Sequence, residues 1–230
     1  MINENVYING RDLHSFGAQA LRDYTVGGTE ITSQTYQGRD RTHFTNIFNQ
    51  FGMKPISFTV VFTGQRRREV ESLRSALTAE LYGVSEITLP DEFTYRCVLE
   101  SVGDGEWKGQ EGNQWLLLQD YSLKGIQHDA LVSVADGRTR FYVRGTMPQM
   151  DARLTMTVPS ASSSVTFCGA DFGACSAGDV LVFDGIEKRL MKNGAPAKAT
   201  GYFEFPFVTP EWNNFTGSAP IKVEYFPCYI

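Results

Sequence analysis

Most of this chain reads as short β-strands, and one stretch between Pro55 and Val102 departs from that texture. Ile56-Ser57-Phe58-Thr59-Val60-Val61-Phe62 has the β-branched and aromatic content of a half-buried or buried strand. Directly after it, Val70, Leu73, Leu77 and Leu81 recur at steps of three and four, while Arg66, Arg67, Glu71, Arg74, Thr78 and Glu80 fall elsewhere. That spacing predicts an amphipathic helix over 65–82 with a single apolar stripe. Gly83 supplies a left-handed stop. Val84–Leu89 and Phe93–Leu99 then read as two strands joined by a turn at Pro90-Asp91-Glu92.

The remaining elements are shorter. Val6–Ile8 and Arg11–Leu13 are extended pieces on either side of an Asn9-Gly10 turn signal. The polar region from Gly27 to Thr45 is read as loops or as a hairpin with long side chains. Residues 103–113 are glycine-rich and charged, and are read as a long exposed loop leading into a buried strand over 114–123. That loop lacks the Gly-Lys-Ser/Thr run of a phosphate-binding loop, since Lys108 is followed by Gly109, and no helix follows it.

Between Gly125 and Pro148 the texture changes, and we place a domain boundary there, with domains at 1–135 and 136–230. Beyond it, strands are expected at 153–158, 164–168, 179–183, 188–191, 201–207 and 221–226, separated by turn signals such as Asp184-Gly185 and Asn193-Gly194. Six short strands with regular turns indicate a β-sandwich. No period of 20–50 residues repeats, which excludes a propeller or solenoid.

Charge and chemistry narrow the function more by exclusion than by positive signal. The formal net charge is −5 and the pI about 5.3, so there is no broad cationic surface for nucleic acid or an anionic membrane. No basic-then-apolar leader and no apolar run of membrane-spanning length occurs, so synthesis in a cytoplasm without secretion is expected. Cys97, Cys168, Cys175 and Cys228 are too scattered for a disulfide scaffold or a zinc site; Cys168 and Cys175 could meet across their loop, or stay reduced. His14, His43 and His128 lie far apart, and no catalytic motif joins them. The expectation is a protein that is not an enzyme and that uses neither metal nor cofactor.

Several short motifs, in their order along the chain, carry a named resemblance. They are Tyr7-Ile8-Asn9-Gly10, the Ile56–Phe62 strand feeding the helix, Leu89-Pro90-Asp91-Glu92-Phe93-Thr94-Tyr95, and the loop before Trp115–Leu118. Together they resemble the first domain of siphophage distal tail proteins. Gly178–Asp184, Lys192-Asn193-Gly194, Phe205-Pro206-Phe207 and Ile221–Tyr225 resemble that family's galectin-like second domain. One departure is local: Thr209-Pro210-Glu211-Trp212-Asn213-Asn214 stands where the family often has Pro-Gly-x-Asn.

The resemblance implies a mainly β chain: an N-terminal β-sandwich or split-barrel domain carrying one helix, then a galectin-like β-sandwich. It further implies a structural virion protein at the tip of a long non-contractile tail. Such proteins form homo-hexameric rings, singly or as back-to-back double rings, between the tail tube protein and the hub or tail-associated protein. Receptor-binding proteins and the tape measure are further partners it suggests. A ring closes through head-to-tail contacts between unlike patches. Arg66, Arg67 and Arg68 are candidates for one patch, because three cations oppose the positive end of the helix dipole at about 0.3–1 kcal/mol each. Either Glu69 and Glu71 compensate within the subunit, or an acidic neighbour does. The alternative function is a carbohydrate-binding module, for which Trp107, Tyr202 and Trp212 are the aromatic candidates.

Overall fold

A single long strand, Lys54–Gly64, organises the first half of the molecule. Alternate residues Ile56, Phe58, Val60 and Phe62 are buried, which is the two-residue period of a strand with one face on a core. In the computed structural model, which describes residues 2–3, 6–37, 44–90, 93–202 and 204–230, the chain is mainly β, with one α-helix among the described residues. It divides into two compact units, Met1–His128 with Ile230, and Asp129–Tyr229.

In the first unit Lys54–Gly64 pairs antiparallel with Ala18–Val26 on one side and with Gln114–His128 on the other. Beyond Gln114–His128 the sheet continues through Thr94–Val102, Val84–Thr88, Tyr7–Ile8 and Arg11–Asp12. Asn9 and Gly10 close the last of these turns at φ 50° and 74°, the left-handed pair that a two-residue hairpin requires. The Pro90-Asp91-Glu92 turn lies partly outside the described residues, since Asp91 and Glu92 are not among them.

The helix spans Arg67–Leu81. Val70, Leu77 and Leu81 are fully buried against the sheet, and Leu73 is half-buried beside Gly17. Polar contacts fix its azimuth: Thr78 Oγ1 lies 3.0 Å from the Tyr121 hydroxyl, and Arg74 donates to the buried Gln119 at 3.3 Å. After Tyr82 the chain turns away at Gly83, whose φ is 93°.

Two expectations for this unit need revision or completion. The glycine-rich segment is not a long loop: Glu106–Glu111 is a strand paired with Gln114–His128, with a bulge between Trp107 and Gly109, and only the 103–105 link and the Gly112-Asn113 turn lie outside strand structure. An edge strand needs no apolar periodicity, so glycine and charge concealed it. In the Gly27–Thr45 region the hairpin reading holds, with Ile31–Gln37 pairing Phe44–Phe51.

The second unit centres on Met150–Thr157, flanked by Ile221–Tyr225 and Val180–Asp184. Val132–Val134 extends one side of that sheet, and Arg189–Lys192 with Ala195–Pro196 extends the other. Its core includes Leu154, Met156, Leu181, Phe183, Ile221 and Val223. Among the described residues of 201–207 no strand forms before Phe207–Val208, and the ribbon Phe141–Val143 with Glu211–Asn213 was not anticipated. The contact boundary at His128/Asp129 comes one short strand before the sequence-placed break at 135/136.

Candidate functional site

The arginine cluster sits where strand Lys54–Gly64 gives way to the helix. Arg66 is the N-cap residue in extended conformation, without a side-chain cap, and Arg67 and Arg68 open the first turn. Glu69 accepts from the backbone N–H of Gln65, the residue before the N-cap, at 2.9 Å. Glu71 pairs with Arg74 at 2.8 Å. Both acids that could have balanced the cluster are therefore engaged elsewhere.

Arg67 has a different partner. Its guanidinium carbon lies 4.4 Å from the ring centre of Trp115 and 5.0 Å from that of Trp107. The two indoles meet edge to face, with centres 6.2 Å apart. Trp115 lies opposite Gly64 and Trp107 opposite Leu117, so the newly found Glu106–Glu111 strand is what delivers the second ring. Trp107 is thus a half-buried wall of a cation–π box, a fate that a loop reading could not foresee. Arg66 and Arg68 remain exposed, with no ion pair among the described residues.

In the second unit Tyr202 and Trp212 diverge. Tyr202 is half-buried, packed on Phe183 at 5.3 Å and Phe205 at 5.7 Å. Trp212 is 53% exposed and stands directly across the ribbon from Tyr142, itself 57% exposed. Their ring centres are 5.6 Å apart, and the Arg140 guanidinium lies 4.7 Å over the indole. Asn213 anchors the loop by donating to the Thr209 carbonyl at 2.6 Å and accepting from the Thr209 N–H at 3.0 Å. Glu211, beside Trp212, has φ 77°, a conformation that costs a non-glycine residue energy and that the ribbon enforces. The three aromatic candidates therefore do not converge on one site. Tyr142 and Arg140 were missed, although the apolar alternation of Phe141 and Val143 around Tyr142 carries the strand signal.

Burial pushes the Cys97 and Cys168 thiols up to about 12, which suppresses the thiolate. Cys168 donates to the Thr216 carbonyl at 3.5 Å, while Cys175 Sγ lies 3.6 Å from Lys192 Nζ, so each thiol has its own contact. Hydrogen bonds from Asn193 and Lys192 lower the Asp179 carboxyl to about 2 and commit it to holding a turn. His14 Nδ1 lies 2.9 Å from the Asp12 carboxylate, and His43 lies outside the described residues. Among the described residues no group of three or more His, Cys, Asp or Glu gathers to hold a metal ion. No described helix is long and apolar enough to cross a membrane.

No family model matches this chain, and no curated protein matches it in sequence. Solved structures do match it. SPP1 Dit (gp 19.1), described as a paradigm of the hub adsorption apparatus in phages infecting Gram-positive bacteria, superposes with a TM-score of 0.69 at 9% identity, covering 100% of both chains. A chain of the phage P2 baseplate in its activated conformation with Ca matches at 0.52 and 8% identity, covering 94% of this chain and 92% of that one. The corresponding Sr structure of the p2 baseplate matches at 0.52 and 9% identity, with the same coverage. Across both units and over its whole length, this chain carries the fold of the phage Dit protein.

Proposed function

We propose that this chain is a structural subunit of a phage tail tip, built into a homo-hexameric ring that joins the tail tube to the hub and adhesion apparatus. The observation that carries the reading is the full-length fold likeness to SPP1 Dit, complete in both chains and spanning two units in the same order. Chance likeness of one β unit would not extend to the other. On this reading the first unit, 1–135 by sequence, makes the ring, and the second is a galectin-like outward module; the protein acts in the virion and catalyses nothing. Arg66 and Arg68 supply a charged contact with an acidic surface of a neighbouring subunit or tail protein, with Arg67 held in place by its tryptophans.

Light scattering on the full chain should give six or twelve times the 25.7 kDa subunit mass, and negative-stain images should show rings with a central opening. A monomer at every attainable concentration overturns the reading. Reversing Arg66 and Arg68 to Glu should weaken assembly without lowering the thermal unfolding temperature, because both side chains are exposed and acids suit a helix N-terminus. Arg67 is left in place, since losing its stacking would confound the result.

A second reading is favoured by one specific observation, the exposed Trp212–Tyr142 pair flanked by Arg140. Rigid exposed aromatics offer a flat apolar face to a sugar ring at low entropic cost. Titration of the full chain with host cell-wall polysaccharide should then show saturable binding that Trp212→Ala abolishes. Absence of binding by the unmodified chain removes this activity and leaves the ring untouched.

A further inference from the structure

The hairpin Ile31–Gln37/Phe44–Phe51 is the least covered part of the first unit. Every residue of its first arm is exposed, as are Thr45–Gln50 of the second. Ile31 is 57% exposed, Tyr36 65%, Ile47 58% and Phe48 47%. The register places Ile31 with Phe51 on one face and Tyr36 and Phe48 on the other, while the shift after Gln34 leaves Ile47 as the bulged residue. Apolar side chains thus line both faces of a two-stranded ribbon, and neither arm contains Asp, Glu, Lys or Arg. Such a ribbon is marginally stable in water by itself and needs cover.

A second uncovered apolar surface lies on the same unit. Tyr82 is 85% exposed and Val84 61%, where the helix ends and strand Val84–Thr88 begins. The hairpin springs from strands Ala18–Val26 and Lys54–Gly64, and two further strands, Gln114–His128 and Thr94–Val102, separate these from Val84–Thr88. The two surfaces are therefore unlike each other and displaced across the sheet. That is what a head-to-tail contact requires, because each copy must present one half of the contact to each neighbour.

We infer that the two arms Ile31–Gln37 and Phe44–Phe51 of one copy dock on the Tyr82–Val84 surface of the next copy of this chain. This rests on the ring reading and specifies its contact. Charge argues for a second copy over another partner. Each chain carries a formal −5, so like copies repel wherever charged surfaces approach, and a self-contact is best made from surface that carries no charge. The hairpin arms are such a surface, and depletion of charge is also the mark of an interface core. A nucleic acid, an anionic lipid surface or a strongly charged protein would find no ionic partner on them.

The test uses two full-length variants, Ile47→Lys/Phe48→Lys on the hairpin and Tyr82→Lys/Val84→Lys on the edge. Lysine reduces the magnitude of the net charge, so lost assembly cannot be ascribed to added repulsion. Each variant alone should lose higher assembly by at least about tenfold in concentration, as expected when a charge enters an apolar contact without a partner. Each should also keep the thermal unfolding of the parent. Mixed one to one, they should form a dimer that grows no further, because the hairpin of the edge variant meets the edge of the hairpin variant and nothing extends the pair. Assembly of either variant at parental concentration, or a mixture that stays monomeric, overturns the inference. A parent chain that never assembles overturns the ring reading instead, so the two failures are distinguishable.

Discussion

Replacing Asp184 with Ala should destabilise the second unit by about 3–5 kcal/mol, the cost of breaking a buried ion pair from one side. The carboxylate is fully buried, accepting from Arg153 Nε at 2.9 Å, with Arg189 Nε at 3.4 Å. Its other oxygen accepts from the backbone N–H groups of Ile186 and Glu187, both at 3.1 Å, and so shapes the turn into Arg189–Lys192. Alanine removes all four partners at once and leaves two turn donors and a half-buried guanidinium unsatisfied. Asp184→Asn should lose less, since an amide oxygen still serves the turn. Denaturant unfolding measures the loss, and native-state hydrogen exchange should place it in Val180–Asp184 and Met150–Thr157. A loss below about 1 kcal/mol, the range of a surface pair, would show that the carboxylate is not organising the turn.

Leu77→Ala should cost the first unit about 2–5 kcal/mol, the range for a buried leucine whose cavity collapses only in part. The helix is held by a narrow stripe: Val70, Leu77 and Leu81 are fully buried, and Leu77 is the middle of the three. The neighbouring Thr78–Tyr121 and Arg74–Gln119 contacts hold the helix in register and restrict its movement into the void. The loss should appear in the first unit's amides, the complement of the Asp184 result. Equal loss of exchange protection in both units for either variant would contradict two separate cores.

The helix was legible because four apolar residues at steps of three and four admit no strand reading. Ile56–Phe62 was legible from its β-branched and aromatic content, and Asn9-Gly10 from the backbone angles such a turn demands. Glu106–Glu111 was not legible, since an edge strand is selected by its partner and its own residues read as loop. The 201–207 run failed in the opposite direction. Tyr202 and Phe205 have strand composition, but they turn inward to pack on Phe183 instead of pairing.

Site residues were harder to read than elements. Arg66–Arg68 stand out in sequence, yet only the structure separates Arg67, which lies over the Trp107 and Trp115 rings, from neighbours that have no such contact. Glu69 and Glu71 look like local counter-charges until their real partners, Gln65 N–H and Arg74, are seen. The hairpin's uncharged arms were visible in the sequence, but their exposure was not.

By itself, then, the sequence determined the mainly β character, the position of the helix and the order of elements that matches the Dit fold. Those properties follow from local periodicity and turn chemistry, which act over a few residues. Tertiary structure alone decided which aromatic rings are walls and which are open faces, which cations are held and which are free to meet a partner, and which apolar strands lack cover. A two-residue period says that a strand has two faces; what covers each face comes from residues tens of positions away, and no local pattern contains that information.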